Sequence, residues 1–502
     1  MTVEIRTCPQ RPLSQGGASH FFGYYDKSPW SRPDSGRGVL AHETELHRAP
    51  PGVDDVVRLG LLDAEGRFGA IADSRAWNFQ QGSMLQWLPG SANEILFNDR
   101  DGDRAVGVRM HLSGGARRVY ERPFASVSPS GIEALSLDFG RLTAIKPEYG
   151  YAGVADAFAG TDYPEESGVW HIDLVTGATR RLVSMRQIVE YIDDPGVRQG
   201  VHYLNHAMYS RTGARFCFLH RYITSGGTQN TRLFSCNRDG DELRLLISGM
   251  ASHFGWQDDK HLLAWAGQRR LISSATGGGF ISRLPIGPLL KKLYRALGKP
   301  AAFKAGMLND RYILFETDTG ALTTIGKGDL TTDGHCSFSA DGAWFVTDTY
   351  PDRHGEAHLL VGHLATQRVV SVARFCMPPD LDGDVRCDLH PRWHPELPRI
   401  CVDVASTGDR QIYYLRSLYT FAPGQNVLAG VERRNESMTS ETAYTQLDAA
   451  TGNTGVYAEY QGQFFERLVL AANVRYDSDD TFGDHTTWRI APALLFPETG
   501  TK

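Results

Sequence analysis

Four histidines recur at one position in successive sequence repeats. His206, His253, His335 and His390 each stand four residues ahead of a tight-turn signal. The turns are Ser210-Arg211-Thr212-Gly213, Gln257-Asp258-Asp259, Ser339-Ala340-Asp341-Gly342 and His394-Pro395-Glu396. Each leads into a short apolar run, as in Phe216-Cys217-Phe218-Leu219 and Leu262-Leu263-Ala264-Trp265. A strand, a turn and a second strand make a hairpin. Hairpins repeated around a ring would bring all four imidazoles to one end. Imidazole binds metals and carries protons near neutral pH, so that end is expected to be a site rather than core.

His253, His335 and His390 come from consecutive repeats, and Cys387 lies three residues before His390. Three imidazoles and a thiolate form a tetrahedral donor set suited to a divalent metal ion, zinc above all. A filled set of this kind ties blades together structurally. The alternative is that these histidines hydrogen-bond strand ends.

A second group has the makings of acid–base chemistry. Asn205-His206 opens one hairpin and His220-Arg221-Tyr222 closes it, while Tyr149-Gly150-Tyr151 puts two phenols on a loop. Asn78, Gln80, Gln81, Asn98 and Arg100 fall at matching ends of the second repeat, and His20, Tyr24 and Tyr25 come from the first. Arg, Asn and Gln bind a carboxylate and damp its charge. Tyr and His can take a proton from the adjacent carbon and return one to a leaving oxygen. Together these are the requirements of β-elimination on a uronic acid. In this reading Tyr149, Tyr151, His206, His220 and Arg221 are catalytic. His20, Tyr24, Gln81, Asn98, Arg100 and Asn205 bind substrate. Loop packing is the competing explanation for Tyr149 and Tyr151, and a strand-end salt bridge for His220-Arg221.

The elements that must position these groups follow from three weaker hairpins upstream. They run Tyr24 to Glu43 around Ser28-Pro29-Trp30, Met84 to Arg100 around Leu88-Pro89-Gly90, and Phe124 to Phe139 around Ser128-Pro129-Ser130-Gly131. Seven hairpins at roughly 60 residues each leave room for two further strands and loops per repeat, as in a β-propeller blade. An all-β, seven-bladed propeller over residues 1–416 is expected; a pair of β-sandwiches with similar turns is the alternative. Within it, Pro288 to Leu297 has leucines at helical spacing and reads as a short helical insertion, closed by Gly298 and Pro300. Gly277-Gly278-Gly279 before it reads as a hinge. Residues 417–502 change texture to long alternating strands, an appended antiparallel β segment.

Composition narrows the class. The 502 residues carry a net charge of −6, with 41% hydrophobic and 22% charged content, so no broad basic surface and no nucleic-acid partner are expected. The seven cysteines form no CxxC pair. Their odd number, and a start at Met1 without an apolar leader, suggest a cytoplasmic protein. No stretch reaches the roughly 20 apolar residues of a membrane helix, and no membrane insertion is expected.

Two resemblances sharpen these expectations. His20-Phe21-Phe22-Gly23-Tyr24-Tyr25-Asp26, Asn205-His206, Ser252-His253-Phe254-Gly255-Trp256, Asp333-Gly334-His335-Cys336 and Cys387-Asp388-Leu389-His390-Pro391-Arg392-Trp393 together resemble the propeller polysaccharide lyases, namely the oligogalacturonate and ulvan lyases. That resemblance spans about residues 18–416. It implies a seven-bladed propeller, a bound metal ion and β-elimination of uronate glycosides. The ulvan-type pattern has a histidine pair in the second blade where this chain has Asn78 and Asn98, which leaves charge neutralisation to amides and Arg221. Separately, Asn453-Thr454-Gly455-Val456-Tyr457 and Asn473 to Trp488 resemble barrel strands of TonB-dependent outer-membrane receptors. A handful of strands cannot close a large barrel, so the tail is read as an appendage without transport function. The expected activity is a carbon–oxygen lyase on acidic, uronate-containing oligosaccharides. The alternatives are a non-catalytic propeller binding glycan or protein at its mouth, and a metal-dependent hydrolase.

Overall fold

The computed structural model describes residues 4–494 except 6–7, 9, 15–16, 31–37, 47, 64, 114–116, 269–309, 396–398, 407–409, 417–418, 423–424, 443–444, 465–467 and 480–482. The insertion helix and glycine hinge expected near 277–297 lie outside the described residues.

The chain folds into antiparallel four-stranded units in sequence order. Blade 1 comprises Ser19–Phe21, Val39–Thr44, Val57–Leu62 and Phe68–Ser74. Blade 2 runs from Gln86–Trp87 to Arg118–Tyr120, and blade 3 from Ser126–Val127 to Thr179–Ser184. Blades 4 and 5 form one seven-stranded sheet, because the 13-residue strand Arg244–Trp256 is the last strand of one and the first of the next. Its first half pairs with Thr231 to Ser235 and its second half with His261–Gln268. Blade 6 runs from Ser337–Phe338 to Arg368–Cys376. Blade 7 takes Arg392–Trp393, Arg399–Val404 and Gln411–Arg416, and amino-terminal Gln10–Pro12 completes its sheet. The Leu13 N–H donates to the Ile412 carbonyl (2.6 Å) at this closure. Seven blades result, and the turns foreseen at Ser210, Ser339 and Ser128 close with i to i+3 backbone bonds of 3.0, 3.0 and 2.9 Å.

Alternation explains the core. Each central strand points successive side chains to opposite blade faces, so the core is a set of layers between blades. Leu135, Val169 and Val183 of blade 3 meet Phe216, Phe218 and Phe234 of blade 4 in one layer. Cys217, Leu219 and Leu233 meet Phe254, Leu262 and Ala264 in the next. Full burial of one such side chain stabilises by about 1.5–3 kcal/mol.

The innermost strands are interrupted near the centre. In blade 1, pairing runs from Ser19 to Phe21 and resumes with the Trp30–Val39 bridge, leaving Phe22 to Pro29 as an inward loop. In blade 4 the register slips between Asn205 and Ala207, and in blade 5 between Ala251 and Phe254. A bulge re-aims a side chain without disturbing the strand on either side.

Contact clustering separates a second unit made mainly of Tyr414–Lys502. It is a five-stranded antiparallel sheet of Tyr419–Ala422, Gln425–Thr442, Thr445–Phe464, Leu468–Asp479 and Gly483–Leu494. Register puts Leu468, Leu470, Ala472 and Val474 opposite Leu494, Pro492, Ile490 and Trp488 on one face. Trp488 is 72% exposed and Ile490 61%. Among the described residues, no helix is long and apolar enough to cross a membrane.

Candidate active site and metal centre

Two bulges and two strand entries deliver the four histidines. His206 occupies the slip in blade 4 with φ +50°, and His253 lies in the slip of blade 5. His335 stands two residues before the inner strand of blade 6, and His390, with φ +43°, two residues before that of blade 7. A positive φ in a non-glycine residue is strained backbone that the surroundings must hold. All four side chains are buried. His253 and His335 stand 3.9 Å apart by ring centroid, and His335 and His390 4.3 Å.

The blade 1 loop supplies the centre of the cluster. Gly23, with φ +108°, passes so close to Gln81 that a Cβ would meet its backbone at 2.9 Å, so no larger residue fits. Asp403 of blade 7 accepts the N–H groups of Phe22 (3.2 Å) and Gly23 (3.3 Å). Asp403 also pairs with Arg392 (2.8 Å), whose Nε donates to the Tyr24 carbonyl (3.2 Å). Thus clamped, the Tyr24 ring lies 4.6 Å from His206, 5.4 Å from His390 and 6.3 Å from His335. Tyr25 donates its hydroxyl proton to the Phe254 carbonyl and accepts the Phe254 N–H, both at 2.9 Å.

His206 Nδ1 is 3.5 Å from both tyrosine oxygens. The Tyr25 proton is committed to the Phe254 carbonyl, whereas the Tyr24 hydroxyl is free to face His206. Nε2 is buried without a hydrogen-bond partner among the described residues. Asp26 Oδ2 lies 3.9 Å from it and is itself held by Lys27 through bonds of 2.8 and 2.9 Å. Burial, reinforced by the positive charge of Lys27, holds the His206 pKa well below the usual imidazole value. His206 is therefore a neutral base at pH 7.

The group with the geometry to hold a metal ion differs from the expected one. Among the described residues, the ligand atoms of His335, Asp388 and His390 lie within 4.8 Å of one another, all buried. Cys387 is not part of this group. In an extended segment residues i and i+2 share a side, so Asp388 goes with His390 while Cys387 turns into the core. Burial pushes its thiol up to about 12, which keeps it protonated. His253 adjoins the group through His335, with its Nδ1 engaged by Asp333 (3.1 Å).

One carboxylate organises the two histidines. Asp348 accepts the His335 backbone N–H (2.5 Å), His335 Nδ1 (3.0 Å) and the His390 N–H (3.2 Å). Burial raises its own pKa to about 7 against those bonds. A carboxylate on Nδ1 leaves Nε2 of His335 to ligate, the usual arrangement behind a metal-bound imidazole. Nε2 of His390 is buried and partnerless. Asp388 takes both its bonds from Arg386 Nε (2.7 and 2.8 Å). Two imidazole nitrogens and a carboxylate oxygen fit a divalent ion of the manganese-to-zinc range; the donor set does not single out zinc.

The other expected site residues divide sharply. Tyr149 ends a 3-10 turn and is half-buried. Burial raises its pKa, with the Arg221 and Arg386 cations pulling the other way. Asn205 is buried beside His206 with Oδ1 unpartnered, and Arg221 has an unpartnered Nε. Tyr151, by contrast, is core: it stacks on Phe139 at 4.7 Å and accepts a bond from Asn98 (3.0 Å). Asn98 is spent on structure as well, donating to the Phe124 carbonyl (2.9 Å) and accepting its N–H (2.7 Å). Arg100 holds the Val53 carbonyl (2.6 Å), and Gln81 is buried with its N–H on Asn78 (2.7 Å). His20 pairs with Glu43 (2.9 Å) beside Phe68. His220 faces the blade 3 side of its strand, bonded to His202 at 2.8 Å. Tyr151, Asn98, Arg100, His20 and His220 therefore do not join the central cluster, because each is bonded to a neighbouring strand or loop instead.

Several central residues carry no repeat signal. Asp348 sits at the end of a central strand, and Asp26 and Lys27 in an irregular loop. Tyr350 lies 6.1 Å from His335, with the Arg386 guanidinium 5.1 Å from its ring. Gln80 fixes Arg386 from blade 2, accepting Nη2 (3.2 Å) and donating to its carbonyl (3.0 Å).

No family model and no curated protein matches this chain, so the receptor likeness of the tail rests on its residues alone. Among solved structures, an oligogalacturonate lyase in complex with manganese matches with a TM-score of 0.53 and 14% identity, over 82% of this chain and 98% of that one. A prolyl endopeptidase matches with a TM-score of 0.43 and 11% identity, over 88% of this chain and 53% of that one. The β-propeller domain of the Trilobed protease from Pyrococcus furiosus matches with a TM-score of 0.38 and 11% identity, over 76% and 95%. This chain is thus a β-propeller, similar in fold to an oligogalacturonate lyase along nearly that enzyme's whole length.

Proposed function

We propose that the propeller is a metal-assisted carbon–oxygen lyase that cleaves uronate-containing oligosaccharides by β-elimination. The observation that carries this reading is the position of Tyr24, whose ring adjoins the base His206 at 4.6 Å and the ligand residue His390 at 5.4 Å. A proton acceptor and a divalent-cation group on either side of one ring are what removal of a proton next to a carboxylate requires.

His335, Asp388 and His390 would hold the ion, whose charge would neutralise the sugar carboxylate and acidify the adjacent C–H. Arg221, with Nε unpartnered, binds a carboxylate oxygen. His206 Nε2 takes the proton from the carbon next to the carboxylate. The C–O bond to the neighbouring sugar breaks as the C=C bond forms. Tyr149, kept protonated by burial, gives its proton to the departing oxygen. Asp26, balanced by Lys27 at 2.8 Å, stabilises the imidazolium once it forms. The manganese named with the lyase of similar fold belongs to the range this donor set favours.

The test is incubation of the purified full chain with oligogalacturonates and other uronate oligomers, with manganese or zinc and with a chelator. Metal-dependent growth of absorbance from a conjugated unsaturated uronate is expected. New reducing ends without that absorbance would point to a hydrolase, and binding without either product to a glycan-binding propeller.

A further inference from the structure

Blade 4 contains a buried cation that forms no ion pair among the described residues. Arg232 is 2% exposed, and its Nε and Nη1 have no hydrogen-bond acceptor. Its neighbour is the Tyr222 ring, 5.6 Å from the guanidinium carbon. Two other buried arginines are paired with carboxylates: Arg141 with Asp156 (3.3 Å) and Arg392 with Asp403 (2.8 Å). Asp194 is the carboxylate whose charge reaches Arg232, but it caps the Pro195–Arg198 turn through the Gly196 N–H (2.9 Å). An unpaired buried charge costs several kcal/mol.

The same face of blade 4 holds an acceptor with no donor among the described residues. Arg232 is the direct cross-strand partner of His220, so both side chains project from one face with Cβ atoms about 5 Å apart. His202 Nε2 lies 2.8 Å from the Val197 carbonyl, which can only accept, so that nitrogen carries the hydrogen. His202 Nδ1 is then bare and receives Nε2–H of His220 at 2.8 Å. The relay ends at His220 Nδ1, a lone pair that is fully buried and unpartnered. Burial keeps both imidazoles neutral by lowering their pKa values.

We infer that blade 4 binds a small monoprotonated oxyanion, of the hydrogencarbonate or dihydrogenphosphate kind, between Arg232 and His220. A charged oxygen accepts from the Arg232 guanidinium, and the anion's O–H donates to His220 Nδ1. A water molecule satisfies the bonds but leaves the guanidinium charge unbalanced. A halide balances the charge but has no proton for His220. A monoprotonated oxyanion does both. The site lies on the blade 3 side of blade 4, and this inference does not rest on the lyase reading.

The experiment is thermal unfolding of the full chain, dialysed free of oxyanions, at constant pH and ionic strength. Potassium chloride, hydrogencarbonate and phosphate are compared. A saturable rise in Tm of several degrees with hydrogencarbonate or phosphate, absent with chloride, is expected, and the two arms identify which oxyanion fits. Arg232→Gln and, independently, His220→Phe should abolish or sharply weaken the rise. Calorimetric titration of wild-type protein with the effective oxyanion decides the matter if either variant fails to fold. An equal response to chloride, no response and no heat with either oxyanion, or an undiminished response in both variants overturns the inference.

Discussion

The two sides of the propeller centre use similar residue types for opposite purposes. On the blade 2 side, Asn78 donates to the Gly150 carbonyl (3.0 Å) and accepts two backbone N–H groups, while Asn98 bridges to Phe124 and Tyr151. Their donors and acceptors are matched, and they hold loops. On the side formed by blades 4 to 7, His206 Nε2, His390 Nε2 and Asn205 Oδ1 are equally buried but unmatched. Leaving a polar group unpaired costs about 1–3 kcal/mol, so several in one cluster mark where a ligand completes the structure. Burial alone does not separate scaffold from site; several unmatched atoms gathered in one cluster do.

That contrast can be broken experimentally. His206→Ala removes the base and should lower turnover roughly 10²–10⁴-fold, followed as absorbance of unsaturated product on folded protein. Retention of wild-type turnover would move the base elsewhere. Asp348→Asn weakens the support behind His335 and His390 and should reduce metal affinity about 10–100-fold, read as metal content after dialysis. Across the centre the effects should reverse. Asn98→Ala strands the Phe124 N–H and carbonyl and should cost about 2–3 kcal/mol in urea unfolding, with turnover per folded molecule unchanged.

Acid should expose the buried neutral histidines. Burial lowers the His42 pKa from 6.5 to about 3 and the His202 pKa to about 4. Between those values and 6.5 the unfolded chain binds protons that the fold excludes. Stability from these groups is therefore complete above pH 6.5 and is lost as pH falls toward 4 and then 3. Each contributes a slope of up to about 1.4 kcal/mol per pH unit. Urea midpoints across pH 4–7 should fall accordingly, and His42→Gln should flatten part of the slope. The smallest effect separates two tyrosines. Tyr151→Phe should cost about 1 kcal/mol with unchanged turnover, whereas Tyr149→Phe should slow turnover with an unchanged Tm.

Much of the fold was legible because propeller blades are local. Each hairpin has its own turn signal and apolar runs, so Ser128, Ser210 and Ser339 disclosed their turns without knowledge of any other blade. The histidines were legible for the same reason, as a repeated offset from those turns. Tyr151 and Asn98 were misread because type and position do not reveal whether a side chain's bonds are already taken. Cys387 was misread because a pattern of spacing ignores alternation, which turns Asp388 inward instead. Asp26, Lys27 and Asp348 were missed because they join the site through loops and strand ends that carry no repeat signal.

The sequence by itself determined a ring of seven hairpins with four imidazoles at one level, since turn chemistry and period-2 patterning act over a few residues. Tertiary structure alone decided which atoms meet. The slips at His206 and His253, the Arg392–Asp403 clamp on the blade 1 loop, and the shared Asp348 carboxylate all join residues far apart in the chain. Whether a buried nitrogen is scaffold or site depends on such partners, and these exist only once the ring has closed.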